Sequence, residues 1–274
     1  MLKPLTAPQV LLWRLIDYAG MYPPESLSLE DAVRTYLRHR QSPYEWMLGP
    51  FLCPSSQLHD LEWLLGGVEV AVGVVIDQPP AEAAVSIAAS GLRIRQVETK
   101  DLDLRTEFEV LDRSFIVWLE APPARVREIA SLFPDRRIGV KVRCGGLTPE
   151  MFPTPSELAE TMREAFVSGL PMKATAGLHH PWRHFSDGVW RHGFLNLLAA
   201  AAVLLTTGDQ SLAERMLTEE EPGALGRQQL RFAGQTFTSS DLKSARVFFR
   251  SYGSCSFDEP VDDLLTMGSI WGAR

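Results

Sequence analysis

Lys173, in the run M-K-A-T-A-G, carries the amine in this sequence best suited to covalent or proton-transfer chemistry. It belongs to a series. Ionisable residues follow or interrupt apolar runs at Asp17, Asp77, Glu98 and Lys100, Glu120, Lys141 and Arg143, and Lys173. Charged side chains are costly to bury unless they are paired or used. In an extended strand, residues two apart point the same way. Lys141 and Arg143 of V-K-V-R-C-G-G therefore share a face, as do Glu98 and Lys100, and Lys173 and Thr175. If these faces meet in one cavity, cations stand beside carboxylates. Lys141 and Arg143 would then clamp an anion, and Gly145 and Gly146 would let backbone N–H groups approach it. Lys173 would act as nucleophile or base. Glu120, with His179 or His180, would move protons. The plain alternative is a set of salt bridges at strand ends.

The segment from Lys173 to Asn196 holds four of the six histidines, His179, His180, His184 and His192. Imidazole suits acid–base work near neutral pH. No HExxH or HxH spacing is present, so a zinc site is not indicated. A His-rich surface loop is the competing reading. His192 and Asn196 are i and i+4 at the start of an apolar helix and share a face. That face is expected at the mouth of the site, on the substrate. Cys255, in G-S-C-S-F-D, would be a nucleophile with a histidine beside it; read alone it is a buried thiol.

The elements that must position these groups alternate between strand and helix. Strands are expected over 11–18, 46–53, 68–76, 92–100, 115–120, 137–144, 171–176 and 230–238. The run V-E-V-A-V-G-V-V-I at 68–76 suits a strand covered on both faces, as in a parallel sheet. Helices are expected over 29–40 with Ser28 as N-cap, and over 55–65, 81–90, 123–133, 155–168, 194–206 and 241–250. The polar connections 101–105 and 218–226 look like exposed loops rather than domain linkers. Alternation of this kind gives right-handed parallel βαβ units. Eight of them point to a single (β/α)8 TIM-type barrel over residues 1–274, with reactive groups at the carboxyl ends of the strands. An open doubly wound parallel sheet is the structural alternative. No GxGxxG or P-loop follows a candidate strand, which argues against its nucleotide-binding forms.

M-K-A-T-A-G resembles the Schiff-base lysine strand of class I aldolases of the deoxyribose-phosphate aldolase type. The resemblance implies Lys173 as the amine nucleophile, with Lys141 as a second lysine lowering its pKa. The wider chain resembles a family of bacterial (β/α)-barrel proteins with no settled activity. Two analogies supply other chemistries. Enolase-type barrels carry carboxylate ligands at the ends of consecutive strands, which Asp77, Glu98 and Glu120 would match, with Mg2+ as the ion. Barrels that transfer phosphoribosyl groups would use the Lys and Arg pairs on phosphate.

Length and composition fit this reading. The chain has 274 residues and is 45% hydrophobic and 22% charged, which suffices for one large packed core. Its net charge of -7 argues against non-specific nucleic-acid binding. Cys53, Cys144 and Cys255 form no CxxC pair and no disulfide framework. The N-terminal residues do not read as a signal peptide, and the apolar segment 194–205 falls short of the roughly 20 residues a membrane span needs. The expectation is a cytoplasmic enzyme of the lyase or transferase class, with no membrane association. It would act on a small anionic, carbonyl-bearing substrate, phosphorylated or not, need no cofactor unless Mg2+, and have scope to form a homo-oligomer. A non-catalytic barrel that binds a ligand or partner is the alternative from another class.

Overall fold

A computed structural model describes residues 5–100, 115–132 and 137–270. Eight parallel strands close into a barrel. They are β1 (Ile16–Tyr18), β2 (Leu48–Pro54), β3 (Ala71–Val75), β4 (Arg93–Thr99), β5 (Ile116–Glu120), β6 (Ile138–Arg143), β7 (Met172–Thr175) and β13 (Phe249–Ser254). The order around the barrel is β1-β13-β7-β6-β5-β4-β3-β2, so the last strand in the chain closes on the first. Its register there is Ile16 to Tyr252, Asp17 to Gly253 and Tyr18 to Ser254. This is the (β/α)8 TIM-type architecture expected from the alternation, not the open sheet.

Strands three to seven fall where the apolar runs place them. The first and last do not. Residues 7–12 form helix α1 (Ala7–Leu12), started by a Thr6–Gln9 capping box, and only Ile16–Tyr18 extends as strand. The 230–238 segment is an antiparallel hairpin outside the barrel, β11 (Gln229–Phe232) with β12 (Gln235–Thr238), extended by β10 (Ala224–Leu225). A turn through Ala233 and Gly234, both with positive φ, reverses the chain there. The eighth strand is β13, whose start the sequence reading had given to the preceding helix. A further hairpin, β8 (His184–Ser186) with β9 (Val189–Arg191), stands in the long connection after β7.

Helices α2 (Leu29–His39), α3 (Leu58–Leu65), α4 (Pro80–Ala89), α5 (Val126–Leu132), α6 (Pro155–Val167), α7 (Phe194–Thr207), α8 (Gln210–Thr218), α9 (Ser239–Phe248) and α10 (Asp258–Thr266) follow the strands. α7 is buried from Phe194 to Leu204 because α6, α8 and α9 cover it, which is why its sequence is apolar all round. Thr154 and Thr238 start α6 and α9 with capping boxes. Among the described residues, no helix is long and apolar enough to cross a membrane. The connection expected at 101–105 lies outside the described residues.

Large side chains fill the lumen because glycines face them. A Cβ on Gly139 of β6 would lie 2.2 Å from the Trp118 ring, and one on Gly49 of β2 would lie 2.4 Å from Asp17 Oδ1. One strand's missing side chain is the space its neighbour's indole or carboxylate occupies.

Candidate active site

The lumen holds a row of ionisable side chains that alternate in sign. Lys173 on β7 sits between two carboxylates, its Nζ 2.5 Å from Asp17 Oδ2 on β1 and 2.5 Å from Glu98 Oε1 on β4. The other Glu98 oxygen is 3.2 Å from Lys141 Nζ on β6. Lys141 Nζ also lies 3.1 Å from Glu120 Oε2 on β5. Arg143 donates from Nε to Glu120 Oε1 at 3.0 Å. Lys100 stands 3.9 Å from the same oxygen. The sequence is Asp17, Lys173, Glu98, Lys141, Glu120, Arg143: three anions and three cations.

The strand parity explains why these six meet. Glu120, Lys141 and Lys173 are register partners across β5, β6 and β7. Arg143 is two residues beyond Lys141, on the same face. Neutral groups finish the floor. Gln96 donates from Nε2 to Asp17 Oδ2 at 2.8 Å and accepts from Trp118 Nε1–H at 3.1 Å. Ser251 donates its hydroxyl to Asp17 Oδ2 at 2.9 Å. Asp17 Oδ2 thus takes three donors, while the buried Oδ1 has no hydrogen-bond partner.

Electrostatics fixes the protonation states. Burial disfavours the Lys173 ammonium, but Asp17 and Glu98 outweigh it and raise its pKa. Burial works against the Glu98 carboxylate, and Lys173 and Lys141 more than offset it, so its pKa is lowered. Glu120 is lowered in the same way by Lys141 and Arg143 against burial. The expected depression of the Lys173 pKa by Lys141 is therefore reversed. The two lysines are register partners, but Glu98 bridges them and cancels their repulsion.

The other nominated residues divide. Arg143 and Glu120 join the row; Gly145 is buried and Gly146 half-buried in the loop after β6. A Cβ on Gly145 would meet Gly177 Cα at 2.9 Å, and one on Gly146 would meet the Met151 side chain. His179 and His180 turn away from the row to α10, where Nδ1 of each lies 2.6 Å from Glu259 and 2.7 Å from Asp263 respectively. His192 donates from Nε2 to Pro153 O at 2.8 Å, and burial lowers its pKa to about 4. Asn196 ties loops together: it accepts from Arg183 N–H and donates to the carbonyls of Met216 and Glu219. Neither His192 nor Asn196 presents its polar end to the row.

The carboxylates Asp77, Glu98 and Glu120 do not converge. Asp77 accepts from the hydroxyls of Ser55 and Ser56 and from Ser56 N–H, which outweigh burial and lower its pKa. Among the described residues, no group of three or more His, Cys, Asp or Glu side chains is placed to hold a metal ion. The Mg2+ set suggested by the enolase analogy is not assembled.

Gln96, Trp118 and Ser251 were not nominated from sequence, and Asp17 stood in the strand-end series without a role. Gln96 had a usable signal, since it lies two residues before Glu98 on the same strand face. Ser251 had none, because the helix expected over 241–250 covered the start of its strand and no element was assigned to the rest.

The sequence matches no protein-family model and no curated protein. Among solved structures, it is similar to lysine/ornithine decarboxylase complexed with cadaverine from Vibrio vulnificus. That match has a TM-score of 0.42 and 14% identity, over 62% of this chain and 48% of that one. This chain thus spans about half the length of that protein.

Proposed function

We propose that the chain is a barrel enzyme that abstracts a proton beside the carbonyl of a small anionic substrate. Arg143 would anchor the anion, Glu120 would be the base, and Lys141 would stabilise the enolate oxygen. One observation carries this reading, the exposure gradient along the row. Side-chain exposure rises from 0% at Lys173 through 2% at Glu98, 6% at Lys141 and 17% at Glu120 to 33% at Arg143, and to 69% at Lys100. Charge that is purely structural has no need to be graded toward the strand ends where barrel chemistry takes place.

The chemistry follows from competition. An incoming carboxylate or phosphate on Arg143 and Lys100 displaces Glu120 from the guanidinium, since both bind as forks. The freed Glu120 carboxylate then lies between Lys141 and the bound molecule. A C–H beside the carbonyl gives its proton to Glu120, and the developing oxyanion meets the Lys141 ammonium in a poorly solvated site. Lys173 remains protonated and keeps Asp17 and Glu98 in place. A Schiff base would require it to shed a proton and leave two carboxylates, so its support for catalysis is electrostatic.

The test is hydrogen–deuterium exchange of the α-protons of small 2-oxo acids and aldehyde phosphates in D2O, followed by NMR, with calorimetric titration of the same compounds. The expected result is binding weakened at least about tenfold by Arg143→Gln, and exchange lost in Glu120→Gln while binding persists. Binding indifferent to Arg143→Gln, or exchange indifferent to Glu120→Gln, overturns it. Borohydride trapping should leave Lys173 unmodified; an adduct there reinstates the aldolase-type mechanism.

A second reading, a non-catalytic ligand-binding barrel, is favoured by the mutual satisfaction of Arg143 and Glu120 and by the sealed Lys173. Binding of the anion without exchange of any probe would select it.

A further inference from the structure

Cys255 directly follows β13, at the carboxyl end of a barrel strand, where TIM-type barrels carry reacting groups. It belongs to none of the interactions of the charged row. His179, from the loop after the neighbouring strand β7, places Nε2 3.8 Å from Cys255 Sγ. The other ring nitrogen, Nδ1, is 2.6 Å from Glu259 Oε2 on the first turn of α10. Cys255 and Glu259 are four residues apart, and the adjacency of β7 and β13 in the barrel brings the sequence-distant His179 to both.

The order matters. A carboxylate can only accept, so Nδ1 carries the hydrogen it donates to Glu259 and Nε2 keeps its lone pair. That lone pair faces the thiol. A nucleophile, a base and a carboxylate that fixes the base's tautomer then stand in line, which is the arrangement of nucleophilic triads on unrelated folds. We propose that Cys255, His179 and Glu259 form a second reactive centre, in which the Cys255 thiol attacks an activated acyl carbon with His179 as its general base.

The step balances without a co-reactant. Sγ forms a bond to the carbonyl carbon as its proton passes to His179 Nε2. The tetrahedral adduct expels the leaving group, which takes that proton back from Nε2. Water then attacks the thioester, with Nε2 again receiving and returning one proton, and releases the carboxylic acid and the free thiol. Burial raises the Cys255 thiol pKa to about 11, so the thiol rests protonated. Proton removal accordingly accompanies attack, as in a serine triad, rather than preceding it.

The rival account makes His179 a clamp. His179 and His180 grip Glu259 and Asp263, which are i and i+4 on α10, and would thereby only fasten the loop after β7 to that helix. The experiment separates the two. Wild type, Cys255→Ser, His179→Gln and Glu259→Gln are treated with p-nitrophenyl acetate near neutral pH. Nitrophenolate release, intact mass and peptide mapping are recorded together with melting temperature. The expected result is a burst of one acetyl group on Cys255. The burst rate falls at least about 100-fold in His179→Gln and about tenfold in Glu259→Gln. Its pH dependence disappears in His179→Gln. If His179→Gln does not fold, the Glu259→Gln rate and the wild-type pH profile decide. No acetyl adduct on Cys255, or a burst unchanged by either substitution, overturns the triad and leaves the clamp.

Discussion

At the scale of single residues, Lys173 is the side chain on which the lumen depends. It is fully buried and neutralises carboxylates on two other strands. Breaking a buried ion pair from one side leaves an uncompensated charge and typically costs about 3–5 kcal/mol. Lys173→Met should therefore destabilise the protein by that order in urea unfolding at neutral pH. The deficit should shrink as pH falls toward 4, because without its lysine Glu98 is more readily protonated. A deficit independent of pH would mean that lost packing, rather than charge, is responsible. His192 gives a second prediction. Its pKa is about 4 in the folded protein against 6.5 for the free side chain, and it is almost completely buried. The folded state therefore binds fewer protons between these values, and stability must fall as pH is lowered from about 6.5 to about 4, by up to roughly 3 kcal/mol. His192→Asn should flatten that slope. An unchanged slope would assign it to other groups.

At the scale of elements, the barrel is a matter of fitting large lumen side chains against glycines. A Cβ on Gly139 would stand 2.2 Å from the Trp118 ring and 2.8 Å from Pro171 O, so the ring or the strand must shift to admit it. Gly139→Ala should cost at least about 1–3 kcal/mol and shift Trp118 fluorescence, since the indole must leave its bond to Gln96. Gly66 is the contrasting case. It ends α3 with φ at +54° and has nothing within 4 Å of a Cβ, so Gly66→Ala meets only backbone strain, about 1 kcal/mol. Equal costs at the two positions would contradict this account of the lumen.

At the scale of the whole molecule, two properties emerge that no element has alone. One is closure. β13 supplies the only covalently distant strand edge that β1 and β7 share among the described residues, and Ser251 reaches from it to Asp17. A chain ending at Thr238 would expose both edges, and it should lose cooperative unfolding by circular dichroism rather than simply melt a few degrees lower. The other is the pH range of stability. Glu98 and Glu120 have pKa values below their unfolded value of about 4.3, so their contribution is complete above that pH and lost as pH falls through the folded values. Lys173 is raised, so its contribution is complete below about 10.4 and lost as pH rises through its folded value. Titration of stability should show both flanks, and Glu98→Gln should remove part of the acid one.

Sequence alone determined the local terms of this structure. Apolar runs located strands β3 to β7 within a few residues, and Ser28 marked a helix start. Strand parity put Lys141 with Arg143 and Lys173 with Thr175 on shared faces. All of these depend on neighbours a few positions away. Tertiary structure decided the remainder. Lys173 reaches Asp17 across 156 positions and Glu98 across 75, and only that pairing sets its charge state. The barrel's last strand was hidden because F-F-R-S-Y-G has no alternation strong enough to outrank the helix before it. His179 was legible as a reactive side chain, but its partners Cys255 and Glu259 became neighbours only when β7 and β13 paired. Periodicity reports which way a side chain points; what it meets there depends on which strands the closed barrel brings alongside.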